Sequence, residues 1–156
     1  MAYDPYPDLE LDVKYVELKT LYENSDIVTL HCPLTQGTYH LLDELAFNSM
    51  KAGVTIINTS RGGLIDTKAL VKALKSKKIG AVGLDVYEEE EHFFAKDLSA
   101  DILQDDLYAR LETFPNVIQT AHQAYFTQEA LQDIFNTSYQ NMLAYLNGAA
   151  INIVSK

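Results

Sequence analysis

The stretch VTIINTSRGGLID, residues 54–66, passes from an unbroken β-branched run into a turn that sets a lone arginine before two glycines. An apolar run without polar alternation reads as a strand covered on both faces, and such strands belong to parallel sheets sandwiched by helices. Three more runs share that character: IVTLHC (27–32), GAVGLDV (80–86) and NVIQTAH (116–122). Between them LDELAFNSM (42–50), DTKALVKALKSK (66–77, with Asp66 as N-cap) and DDLYARLET (105–113) read as helices. Strand alternating with helix is the βαβ signature, so the expected class is α/β with a parallel sheet.

Outward from this block the pattern changes. KYVEL and KTLYENS read as a short strand and a helical turn, and MAYDPYPDL as a brief apolar segment followed by a Pro-punctuated loop. From Thr127 a long helix is expected to about Asn147, with Leu131, Phe135, Tyr139, Met142 and Leu146 on one stripe. Thr127 suits its N-cap, Glu129 its first turn and Gly148 its C′ stop.

At 156 residues, 47% apolar and 22% charged, the chain suits one globular domain. Its net charge of -10 opposes phosphate backbones and anionic lipid, so neither nucleic acid nor membrane is an expected partner. KALKSKK is a short basic run at a helix end, where cations suit the dipole. Cys32 is the single cysteine, which fits a reducing compartment, and its simplest reading is a small buried apolar residue. With no signal-peptide pattern and no run of about 18 apolar residues, a cytoplasmic location is expected.

In an open α/β sheet, ligands lie outside the carboxyl ends of the strands. The four runs deliver His31, Cys32 and Pro33, then Thr59, Ser60 and Arg61, then Asp85 with the acidic run Glu88 to Glu91, and finally His122. A cation, acids and an imidazole at one edge are parts of an acid–base site with an anion clamp. Singly, a histidine at a strand end is more often structural, and four consecutive glutamates are usually a solvated face.

Together NTSRGGLID, GLDVYEEE and TAHQAYFT resemble the D-isomer-specific 2-hydroxyacid dehydrogenases, and within them the fermentative D-lactate dehydrogenases. HCPLTQGTYHLL, ALVKALKSKKIGAVGLDVYE and the insertion-like HFFAKDLSADILQDDLYARL extend the likeness over essentially the whole chain. The resemblance implies a doubly wound, Rossmann-like NAD-binding domain and the NAD-dependent interconversion of (R)-lactate and pyruvate. Arg61 would clamp the carboxylate of a 2-oxo acid, with Gly62 and Gly63 letting the backbone turn sharply beneath it. His122 would be the proton donor and Glu90, five past Asp85, its partner, although Glu88, Glu89 and Glu91 adjoin. Asp4 would bind the adenosine ribose and favour NAD over NADP. Cys32, Pro33, Thr38, Thr59, Ser60 and Asp85 match cofactor-lining positions, with Arg61 and His122 beside the nicotinamide. No metal is implied. Sibling substrates such as glycerate or a branched 2-hydroxy acid, and a non-catalytic NAD-sensing or scaffold module, are the competing readings.

The sequence departs from the family in one respect. Its glycines nowhere form G-x-G-x-x-G, a turn that belongs about 20 residues before Asp4. The expectation is therefore a fold truncated at its N-terminus. Residues 1–126 would be a partial NAD-binding domain lacking the first strand and the pyrophosphate-binding turn, and 127–156 a helix and tail that pack on an absent substrate domain. Such a fragment should bind NAD weakly or not at all and show no appreciable turnover. The partner implied is the 2-hydroxy or 2-oxo acid; the family commonly forms dimers or tetramers through this domain, and because part of that surface is missing here a homo-oligomer is left open.

Overall fold

The computed structural model describes residues 1–90 and 104–154. It divides into two compact units, Met1–His122 and Gln123–Lys156.

In the first unit β1 (Ile27–Leu30), β2 (Val54–Asn58), β3 (Ile79–Leu84) and β4 (Val117–Gln119) form a parallel sheet in the order β1-β2-β3-β4. The strands are joined through α2 (Glu44–Ser49), α3 (Thr67–Lys75) and α4 (Asp106–Glu112), and α1 (Leu18–Asn24) precedes β1. Expected strands and helices exist with trimmed ends. KYVEL contributes only a single parallel bridge, Tyr15 to Ala2. Glu91 and most of the insertion-like segment, residues 92–103, lie outside the described residues.

Strands laid down in sequence order with right-handed crossovers place the connecting helices on one face of the sheet. The core agrees, since Phe47 of α2, Leu70 and Leu74 of α3 and Leu111 of α4 share one cluster with Val28, Ile56 and Val82. Burial consequently alternates along β2, with Val54, Ile56 and Asn58 inward and Thr55 and Ile57 half-buried. The expectation of strands covered on both faces is thus corrected among the described residues: Ile27 is 65% and Ile118 70% exposed.

Three of the four helix starts described in this unit carry an aspartate cap, and α1 has none. Asp66 accepts the Lys68 and Ala69 N–H groups at α3, Asp105 those of Leu107 and Tyr108 at α4, and Asp43 that of Ala46 at α2. Lys72 and Lys75 stand in the last turn of α3, where the dipole favours them. The amino ends of the strands share the rim opposite the site, where Lys51, Ala52 and Gly53 are exposed.

The second unit contains α5 (Gln128–Leu146), with Thr127 capping the Ala130 N–H and Gly148 at φ 71° just past its end. None of its residues is buried, and Phe135 and Tyr139 stack at 6.2 Å. No helix among the described residues is long and apolar enough to cross a membrane.

Candidate active site

The strands stop in step, since Leu30, Asn58, Leu84 and Gln119 form one row across the sheet. Every site residue selected from the sequence except Asp4 lies on the chain just past that row. Past its end, β3 is tied to both neighbours: Asp85 N–H donates to the Asn58 carbonyl (2.9 Å), Thr120 N–H to that of Leu84 (2.9 Å) and His122 N–H to that of Asp85 (2.6 Å).

Asn58 was not selected from the sequence. Alternation points it into the core, where it is 0% exposed, and a buried amide must be satisfied. Its Nδ2 donates to the Arg61 carbonyl (2.9 Å) and its Oδ1 accepts the Ser60 N–H (3.0 Å), which shapes the turn that carries Arg61. The phase of the alternation, Val54, Ile56, Asn58, is the signal that would have found it.

Arg61 itself is extended at φ -142° and exposed. Its Nη1 donates to the Ser60 carbonyl (2.7 Å), and no carboxylate among the described residues pairs with it. The backbone does turn tightly at the glycines, in a 3-10 turn over Gly62–Leu64, but neither glycine has positive φ, so left-handed freedom is not what the turn uses. Gly62 is required by close approach instead: a Cβ there would lie 2.0 Å from the carbonyl carbon and oxygen of Tyr87.

The glutamate run divides its labour. Glu90 Oε1 accepts from His122 Nδ1 (2.9 Å) and its Oε2 from the Tyr87 N–H (2.9 Å). A carboxylate only accepts, so this contact assigns the proton to Nδ1 and leaves Nε2 as the nitrogen available for exchange. His122 is held at φ 55°, a left-handed conformation uncommon outside glycine.

Glu88, read as part of a solvated face, is 18% exposed and engaged on both oxygens. Oε1 accepts from His40 Nε2 (2.6 Å) and the Tyr39 hydroxyl (3.3 Å), Oε2 from the Thr67 hydroxyl (2.9 Å) and N–H (3.2 Å). Burial pushes its carboxyl up, but the bonds from His40 and Thr67 outweigh that and hold it below its ordinary value. Neither His40 nor this role for Glu88 carried a sequence signal.

The remaining cofactor candidates fall on two loops that fasten each other. The Ser60 hydroxyl donates to the Cys32 carbonyl (2.7 Å) and the Thr38 hydroxyl to that of Pro33 (2.7 Å), while Thr59 is exposed. Burial, and secondarily the charge of Asp4, pushes the Cys32 thiol up and away from thiolate chemistry. Asp4 is exposed, and its Oδ1 accepts the Tyr6 N–H (2.8 Å) in a turn before proline. Asp85 is buried, with its carboxylate accepting from the Thr120 hydroxyl (2.6 Å). An exposed acid near an apolar Cys32–Pro33 edge, with hydroxyls along the same rim, fits the sugar and ring portions of a dinucleotide. The backbone turn that would cradle its pyrophosphate is not in this sequence.

Comparison with known proteins gives the same picture. The chain is 54% identical over 145 residues to the D-lactate dehydrogenase of Escherichia coli K12, covering 91% of itself and 44% of that relative. It superposes on a D-lactate dehydrogenase from Sporolactobacillus with TM-score 0.92 and 38% identity, over 97% of this chain and 46% of that one. On the Lactobacillus jensenii D-lactate dehydrogenase with NAD+ the values are 0.89 and 32%, over 99% and 47%. The chain therefore spans under half the length of these relatives. Residues 1–124 match the family described as "D-isomer specific 2-hydroxyacid dehydrogenase, NAD binding domain", and with strand-end chemistry and fold in agreement the chain belongs to that family.

Proposed function

We propose that the chain supplies the NAD-binding and proton-transferring half of an enzyme that interconverts (R)-lactate and pyruvate. The observation that carries this is the His122–Glu90 pair at one strand end, with the Arg61 guanidinium, which meets no carboxylate among the described residues, at another. Arg61 follows β2 and His122 follows β4, two strands away, a backbone separation of about 10 Å that two side chains and a three-carbon acid can span.

In this reading the Arg61 fork binds the substrate carboxylate through two parallel charge-assisted bonds and so orients the carbonyl. NAD, when bound, supplies the hydride acceptor for the alcohol and, reduced, the donor for the ketone. His122 Nε2 gives its proton to the oxygen as it becomes an alkoxide, and takes it back in the oxidation direction. Glu90 keeps Nδ1 protonated and stabilises the imidazolium. Asp4 addresses the adenosine ribose and Asp85 the carboxamide, with Cys32, Pro33, Thr38, Thr59 and Ser60 lining the cofactor. The exposed apolar stripe of α5 is the surface expected to pack on a substrate domain.

The test is a graft in which this chain replaces the matching 145 residues of the E. coli relative. NADH production from (R)-lactate is expected, exceeding that from glycerate and branched 2-hydroxy acids. His122→Asn should lower kcat by about 10²–10⁴-fold. Arg61→Gln should raise KM for pyruvate by about 10–100-fold, since it removes charge-assisted bonds to the carboxylate. A folded graft that binds NAD yet turns over no 2-hydroxy acid would make the chain a sensor or scaffold instead.

A further inference from the structure

Two histidines of this unit stand in left-handed backbone conformations at the carboxyl rim, His40 at φ 52° and His122 at φ 55°, and each meets a different glutamate of one turn. The second pair falls outside the chemistry assigned above. Its carboxylate, Glu88, gathers four donors from two loops: His40 and Tyr39 from the segment after β1, and the Thr67 hydroxyl and N–H from the start of α3. His40 is itself fixed, its ring stacked on Tyr39 at 3.9 Å, its N–H on the Gly63 carbonyl (2.8 Å), and its Nδ1 4.0 Å from Asp66, the N-cap of α3. The peptide leading into Glu88 has the Gly62 backbone pressed against it, one residue from Arg61. Two residues beyond Glu88, Glu90 closes the turn through Tyr87 N–H and reaches the opposite way to His122.

We propose that Glu88 and His40 are positioning residues that lock the 87–90 turn to α3 and to the Arg61 turn, so that Glu90 is presented to His122 with its proton on Nδ1. This rests on the His122–Glu90 reading above. With Glu88 anchored, the turn has one placement and Glu90 one reach. Without it the turn swings on its remaining contacts, and the Glu90 carboxylate spends most of its time away from the imidazole.

The experiment is nitrogen-15 NMR of the histidine rings in the 156-residue chain at pH 8, where the shifts of Nδ1 and Nε2 report which nitrogen holds the proton. His122 is expected in the Nδ1–H form. Glu90→Gln should abolish that preference. His40→Ala and Glu88→Ala should each convert more than half of the Nδ1–H form to Nε2–H, and the double variant no more than either alone, with amide spectra showing unit 1 still folded. Should Glu88→Ala fail to fold, His40→Asn serves, because asparagine tolerates the left-handed backbone while withdrawing the imidazole from Glu88. A His122 signature shifted by Glu90→Gln but unchanged in the folded His40 variants overturns the proposal alone. One unmoved by Glu90→Gln removes the pair itself, and this proposal with it.

Discussion

At Gly62 a methyl group has nowhere to go, because its neighbours are the backbone atoms of Tyr87 rather than a side chain that can swing aside. Gly62→Ala is expected to cost about 3 kcal/mol or more in denaturant unfolding, at the upper end of overpacking effects. Gly37→Ala should be near neutral, the nearest atom to its Cβ being 3.9 Å away. Glu88 makes a prediction of a different kind. Its folded carboxyl is held below the ordinary value of 4.5, so the stability it supplies is present above that pH and disappears as pH falls through the depressed folded value. Thermal melts of the chain and of Glu88→Gln should therefore differ above about pH 5 and converge in acid, with the wild-type curve the steeper of the two. Residue identity revealed some of this and hid the rest. The motifs singled out Arg61, Glu90 and His122, of which the last two meet in the structure. Glu88 could not, because its partner His40 lies 48 positions away and nothing local separates a carboxylate facing water from one facing an imidazole.

Among the elements, α3 was the most legible, since Asp66 before an apolar period and lysines in its last turn state both ends chemically. Asp66→Ala should destabilise unit 1 by about 1 kcal/mol, measurable by chemical denaturation, through loss of the cap to the Lys68 and Ala69 N–H groups. Strand existence was equally clear, but β4 shrank from seven expected residues to three, Val117–Gln119, because the chain leaves the ladder to bring His122 back onto Asp85. Facing was misread for a reason that lies in topology. Isoleucine suits an open position of a pleated strand as well as a covered one, so Ile27 and Ile118 could not announce which side the helices would take. The helix α5 was legible from its period, yet its expected stripe is exposed and period alone does not say what lies against it.

For the molecule as a whole, Arg61 is one of two arginines, with Arg110, in a chain of net charge -10, and it is the one that follows a strand end. A preparation of these 156 residues by themselves is expected to produce no NADH from (R)-lactate and to bind a hydrophobic dye, given exposed Ile27, Ile118, Phe135 and Leu146. Robust turnover by that preparation would show that the half supplied here suffices. Because parallel strands put the proposed proton-transfer and carboxylate-binding groups at one rim, the other rim is available to the experimenter. A fluorophore or a surface tether attached at exposed Ala52 would sit a strand's length, about 16 Å, behind the reacting groups, reporting on the protein without standing in the path of what it binds.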